Sequence, residues 1–277
     1  MSVSPFADMT YAVRMVASEK HGAARVLDFL KQPVGEFQDF LVLSGRALKN
    51  VFRAPHYWDD VFLQMDIIGV GGLSIVTLIG FFSGLVITMQ MSRSLSTYGA
   101  VDQVGPIVMV ILVRELGPVL TAVMVAGRTA SGIASELGSM KVSEQIDAMR
   151  ALGTDPIQKL VTPRMIATAV MLPLLTIMAD LIGMLGGFLI AYFTLRLTPS
   201  QYWTPAYQIL EYNDLVQGLL KPFIFAFVVS LVGCYYGMQT TGGTQGVGRS
   251  TTQAVVVACV WIFVLDALLG RIFVHMG

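Results

Sequence analysis

Apolar residues along this chain gather into long unbroken runs. Five of them reach or approach the roughly 20 residues that a helix needs to cross a hydrocarbon layer: 67–89, 104–126, 165–194, 222–238 and 254–273. The second is interrupted by Arg114-Glu115, the third is long enough to tilt or to bend at Pro173, and the fourth is short, with Leu219-Leu220 available to extend it. Runs of this length without alternation predict helices and not strands. The expected fold is therefore an all-α integral membrane protein, with five transmembrane helices in a domain over 61–277.

Residues 1–60 follow another pattern. Phe6, Met9, Val13 and Val16, then Val26, Phe29 and Leu30, recur at helical spacing among charges, and Pro33 and Gly35 break the segment. A second helix is expected over 36–52, with Phe37, Phe40, Leu41, Leu48 and Phe52 on one side. Such amphipathic helices lie in the headgroup plane with basic residues toward anionic lipid. A small helical pair packed on the protein itself is the alternative.

Composition agrees with a membrane setting. Hydrophobic residues make up 55% and charged residues 13%, against about 25% charged in soluble domains, and mean hydropathy is +0.68. Net charge is zero, so nothing points to nucleic acid. The placement of charge says more. Of the 18 Lys and Arg, 13 fall before the first run, between runs two and three, or between runs four and five. Four (Arg93, Arg196, Lys221 and Arg271) fall on the other side, and Arg114 lies within a run. The positive-inside rule then puts the N-terminus in the cytoplasm and the C-terminus outside. The first long run begins too deep in the chain for a cleavable signal peptide.

Candidate chemistry is sparse. Cys234 and Cys259 sit in apolar runs and read as small core residues. His21, His56 and His275 have no metal-ligand spacing, and no nucleophile, base and acid grouping is visible. Gly243-Thr244-Gln245-Gly246-Val247-Gly248-Arg249-Ser250 is one residue away from a phosphate-binding loop, but Arg replaces the required Lys and no strand precedes it. A tight glycine-rich turn between helices is the expectation there. Gly80/Gly84 and Gly183/Gly187 allow close helix approach, within the chain or in a dimer.

Two features stand out. Arg114 and Glu115 are ionisable groups at membrane depth, which are costly there and face cavities or each other. Adjacent residues diverge by about 100° on a helix, so at least one needs a partner elsewhere. They line a polar pocket or tie helices together, with Pro118 free to kink the helix. Asp180 and Asp266 are further intramembrane candidates, Asp266 being expected near the outer interface beside Arg271. The second feature is the basic connection 128–164. Ser143 is placed to cap a helix over 144–152, Gly153 to stop it, and Val142, Ile146 and Met149 to form its apolar stripe, opposite Glu144, Asp147 and Arg150. Asp155-Pro156 starts a further short helix and Thr162-Pro163 the third span. A short helix held between two spans suits docking in a partner's groove; a solvated loop is the alternative.

Several motifs in order resemble the MlaE/YrbE permease family: Val113-Arg114-Glu115-Leu116-Gly117-Pro118, Ala126-Gly127-Arg128, Ala134-Ser135-Glu136-Leu137-Gly138, Glu144-Gln145-Ile146-Asp147-Ala148-Met149, Pro163-Arg164, Leu172-Pro173-Leu174 and the 242–252 segment. The likeness covers roughly 60–277. It implies the membrane subunit of an ABC-type lipid transporter, with phospholipid as the default cargo, in a bacterial inner membrane. Two copies, identical or paralogous, would pair around a lipid cavity. Each would receive a separate ATPase, with ATP and Mg on that partner and no cofactor on this chain, and an MCE-domain protein would dock outside. The resemblance makes 144–152 the coupling helix, with Glu144, Gln145, Ile146, Asp147, Met149 and Arg150 toward the ATPase. It places Arg114, Glu115, Leu85, Val86 and Met89 at the lipid cavity. Two other classes remain: a secondary transporter using Asp180 or Asp266, and an integral membrane enzyme acting on lipid.

Overall fold

The computed structural model describes residues 35–55 and 57–276. The first amphipathic stretch, with Phe6 to Leu30, therefore lies outside the described residues, as do His21 and His56. Contacts divide the chain into two units, 1–45 and 46–277. In the first, 35–45 are helical, with Phe37 and Leu41 exposed. The second opens with helical residues 46–51 (α1), in which Ala47 and Asn50 are buried while Leu48 and Phe52 stay exposed. The expected helix over 36–52 is present; on its predicted apolar side Phe37, Leu41, Leu48 and Phe52 are exposed and Phe40 is half-buried.

Five long helices follow, as the apolar runs predict. They are α2 (Trp58–Thr97), α3 (Val101–Val142), α5 (Ile157–Leu195), α7 (Tyr212–Met238) and α8 (Gly243–Met276). Each has the length and composition to cross a membrane, and the described residues contain no strand. All five outrun the predicted limits. The 40 residues of α2 rise about 60 Å at 1.5 Å each, twice a hydrocarbon core of about 30 Å. Two short helices complete the unit: α4 (Gln145–Ala151) at the end where the basic residues collect, and α6 (Pro199–Ile209) at the far end.

The helix α2 packs chiefly on α5, and the glycines explain how. A Cβ built on Gly84 would come within 1.8 Å of the Gly183 carbonyl oxygen, and one on Gly80 within 2.5 Å of the Ala179 carbonyl oxygen. Backbones meet here with no room for a methyl group, so the small-residue spacing serves a crossing inside the chain.

The helix α3 is not uniform. Its hydrogen bonding widens to π turns at Leu112–Leu116 and Ala126–Ala130, and α5 opens with another at Ile157–Val161. Two of these stand two residues before a proline, Pro118 and Pro163. A proline supplies no N–H to the carbonyl four residues back, and a widened turn absorbs that defect.

The 128–164 connection is mostly helix, as its sequence suggests, with α3 running on to Val142 and α5 beginning at Ile157. Three local expectations fail. Ser143 does not cap α4: its hydroxyl donates to the Ser139 carbonyl at 2.8 Å, closing α3 instead. Thr162 likewise donates back to Ile157 at 3.2 Å inside a continuing helix. Asp155 does cap, accepting the Ile157 N–H at 3.0 Å with Pro156 following. The glycine-rich stretch 243–250 is not a turn but the start of α8. The chain reverses at Gly242 and Gly243, both with positive φ, and Thr240 to Ser250 (2.9 Å) closes the corner. A helical 243–250 has no loop with which to cradle a phosphate.

Candidate functional site: an ionic network and an apolar slot

Arg114 and Glu115 project from the first π turn of α3 to different partners. Arg114 Nε lies 2.5 Å from Asp214 Oδ1. Asp214 is buried at the start of α7, where its other oxygen accepts the Glu211 N–H at 3.1 Å, so a capping box aims the carboxylate. Glu115 Oε2 lies 2.8 Å from Lys221 Nζ. Lys221 has no exposed surface, and its ammonium also donates to the Arg114 carbonyl at 3.0 Å. That carbonyl stands four residues before Pro118, which has no N–H to give it. Asp266 Oδ1 of α8 stands 2.9 Å from the same ammonium as a counter-ion, without a hydrogen bond of its own. Two cations and three carboxylates thus join α3, α7 and α8.

Sequence reasoning found Arg114, Glu115 and Asp266 but missed Asp214 and Lys221. Lys221 counted as a far-side loop cation; it is instead fully buried within α7, leaving three basic residues on that side. Asp266, expected beside Arg271, pairs instead with Lys221 of α7 at 2.9 Å. The tie between helices is realised, yet Arg114 and Glu115 keep 39% and 49% of their side chains open, so each also presents a polar face.

Of the other predicted cavity residues, Val86 lines an open apolar groove with Phe82, Leu116 and Leu120 between α2 and α3. Met89 is exposed and Leu85 half-buried, and neither lines that groove. A second space, about 320 Å³, is an apolar slot walled by α3, α5, α6 and α7, with Met109, Leu181, Trp203, Leu215 and Asp180 among its lining. The helix α6 was not foreseen. Its signal is Thr198-Pro199-Ser200-Gln201, where Thr198 and Gln201 form a reciprocal cap. It buries Tyr202 and Ala206 and stacks Trp203 on Tyr207.

At the opposite, basic end, α4 hangs between α3 and α5. Ile146 is fully buried and roots it; Met149 is half-buried. Glu144, Gln145, Asp147 and Arg150 are exposed. Glu144 precedes the helix with φ 60°, and Gly153 with φ 80° ends it. Asp147 accepts from Lys141 at 2.7 Å and Arg150 at 3.2 Å. The Lys141 hydrogen bond and the positive charges of Lys141 and Arg150 hold its carboxyl below the usual carboxylate range, against a smaller opposing effect of burial. The start of α5 is clamped nearby: Lys159 pairs with Asp60 and sits 4.2 Å over the Tyr57 ring, and Gln158 donates to the Arg53 and Pro55 carbonyls.

Five membrane-length helices, a charged network bridging three of them and a short exposed helix between two spans define a multi-span helical membrane protein. The family model for Permease MlaE matches residues 61–272, and the chain belongs to that family. It is 38% identical over 244 residues to a probable ABC transporter permease protein of Rickettsia bellii, covering 88% of this chain and 93% of that one. It is 37% identical over 228 residues to the probable ABC transporter permease protein slr1045 of Synechocystis, covering 82% and 87%. It is 35% identical over 232 residues to the Arabidopsis thaliana protein TRIGALACTOSYLDIACYLGLYCEROL 1, chloroplastic, covering 84% and 66%.

Proposed function

We propose that this chain is the permease subunit of an ABC-type lipid transporter of the MCE class, working as a pair of permeases in a bacterial inner membrane with the N-terminus cytoplasmic. The observation that carries the reading is the pairing of two separate devices on one continuous helix. The helix α3 bears the Arg114/Glu115 network in its middle and delivers α4 at its basic end. A partner ATPase, holding ATP and Mg, would dock on the exposed Glu144, Gln145, Asp147 and Arg150, and Ile146 would pass its movement into α3. The network would offer Arg114 and Glu115 to a lipid headgroup, while Val86 and its apolar groove would take acyl chain, with Leu85 and Met89 facing a second copy. The Arabidopsis relative's name is that of a glycerolipid, which supports a lipid cargo, with phospholipid the first to test. An MCE-domain protein would receive the lipid at the far end.

The test is co-purification of the full chain with its ATPase. Glu144→Lys is expected to weaken assembly or lipid-stimulated ATP hydrolysis, and unchanged assembly and hydrolysis would remove the coupling role. Arg114→Ala with Glu115→Ala is expected to reduce co-purified lipid, and unchanged lipid and transport would remove the cavity role. A secondary transporter is the weaker reading, since Asp266 is engaged by Lys221 and the family is one of ABC permeases.

A further inference from the structure

Asp180 is not part of the network. It makes no hydrogen bond or ion pair among the described residues, and its Oδ1 is buried without a partner. That oxygen rests against Gly117 so closely that a Cβ there would come within 1.8 Å of it. Glycine at 117 thus makes room for the carboxyl, yet supplies it with no donor. Asp180 is also the one carboxylate lining the apolar slot of about 320 Å³, where Trp203 and Tyr207 stand among the other walls. The slot is open on one side, where Leu181 and Leu215 are about half exposed.

The geometry points to a binding site within the single chain for an apolar molecule carrying one hydroxyl, its body in the slot and its hydroxyl on Asp180. At about 30 Å³ per water, the slot holds the volume of about ten waters. That takes one alkyl chain or a small ring system, and neither a helix nor a whole two-chain lipid. A ligand site is mostly apolar wall with a few fixed polar groups, and this one has one carboxylate, with Trp203 and Tyr207 the other lining residues that carry a side-chain N–H or O–H. A carboxyl accepts when ionised and also donates when protonated. A hydroxyl donates and accepts, so it satisfies Asp180 in either state, which an ester or an ammonium does not. The site requires the membrane setting of the five helices but not the transport cycle. Its failure therefore leaves the ATP-coupled reading untouched, and the reverse also holds.

The test is photo-capture by the full chain in phosphatidylcholine nanodiscs, without ATP or ATPase. The probes are a diazirine-bearing ten-carbon alcohol, its methyl ether and the corresponding amine, with labelled residues mapped by mass spectrometry. The alcohol is expected to label the Trp203, Leu181 and Leu215 walls about tenfold more than the ether, as loss of one buried hydrogen bond implies. Asp180→Leu removes an unpaired buried carboxyl, so it should fold and should capture alcohol and ether equally. Leu215→Trp fills the slot from α7 and should abolish capture of both. Equal labelling by alcohol and ether in the unmodified chain, preferential capture of the amine, or label spread over the outer faces of α2 and α8 would overturn the site. Crosslinking of the slot walls to a second copy would overturn it as well, by making the slot a subunit contact.

Discussion

Lys221 Nζ donates to the Arg114 carbonyl at 3.0 Å, although the two residues stand 107 positions apart. Pro118 creates the need, since it has no N–H for that carbonyl. A buried ammonium meets it, and the same ammonium holds Glu115 and Asp266. One side chain therefore donates to a carbonyl at the π turn and is shared between two carboxylates. Lys221→Met is expected to leave both carboxylates uncompensated. Loss of one partner from a buried pair costs about 3–5 kcal/mol, and here the loss falls mainly on Asp266, since Glu115 is half-exposed. Thermal unfolding of the detergent-purified chain should show it, and adding Glu115→Gln and Asp266→Asn should recover part of the loss.

The α2–α5 crossing yields a packing prediction. Gly84→Ala drives a methyl group into the Gly183 carbonyl, and overpacking costs about 1–3 kcal/mol. Gly132→Ala meets nothing within 4 Å in a helix, and alanine exceeds glycine in helix stability by about 1 kcal/mol. The two substitutions should shift the unfolding temperature in opposite directions. A drop for both would mean that close approach at Gly84 is not the cause.

Much of this was legible in advance because membrane helices write themselves as apolar runs. The five spans, the small-residue crossing and the divergence of Arg114 from Glu115 all follow from helix geometry and hydropathy. Lys221 and Asp214 were not legible. They interrupt the apolar run of α7 and so read as its outer flank, where basic residues ordinarily reach toward water. The Ser143 cap was misread for a related reason. A serine hydroxyl can serve the helix that follows or return to the carbonyl four residues before it, and a helix continuous from Val101 decided for the second. The helix α6 is short and carries Tyr, Trp and Pro, and only its Thr198/Gln201 cap announces it.

Glu144 offers a way to separate fold from coupling. A non-glycine residue in the left-handed region costs about 1–2 kcal/mol. Glu144→Gly should relieve that strain and leave unfolding unchanged or slightly raised, while removing an exposed carboxylate from the proposed ATPase face. Retained stability with weakened ATPase binding, read by size-exclusion chromatography, is the expected result. Lost stability would show that the Glu144 side chain holds the helix.

Asp147 sets a pH expectation. Its carboxyl is held below the ordinary value of 3.8, so the stabilisation from Lys141 and Arg150 is present above that value and is lost as pH falls through the lowered one. Between pH 5 and 8 the Lys141–Asp147 pair should not change. ATPase binding by the Asp147→Asn variant and by the unmodified chain should therefore run parallel across that range. A divergence within it would mean that another group titrates at this face.

The central claim is that ATP hydrolysis on a partner moves lipid through this permease by way of α4. The most direct measurement is ATP-dependent transfer of labelled phospholipid by the full complex in proteoliposomes, comparing the unmodified chain with Ile146→Asp. Transfer that requires ATP and is lost in the variant, while ATP hydrolysis by the isolated partner persists, is the predicted result. Transfer at the same rate without ATP, or with Ile146→Asp in place of the unmodified chain, would contradict it.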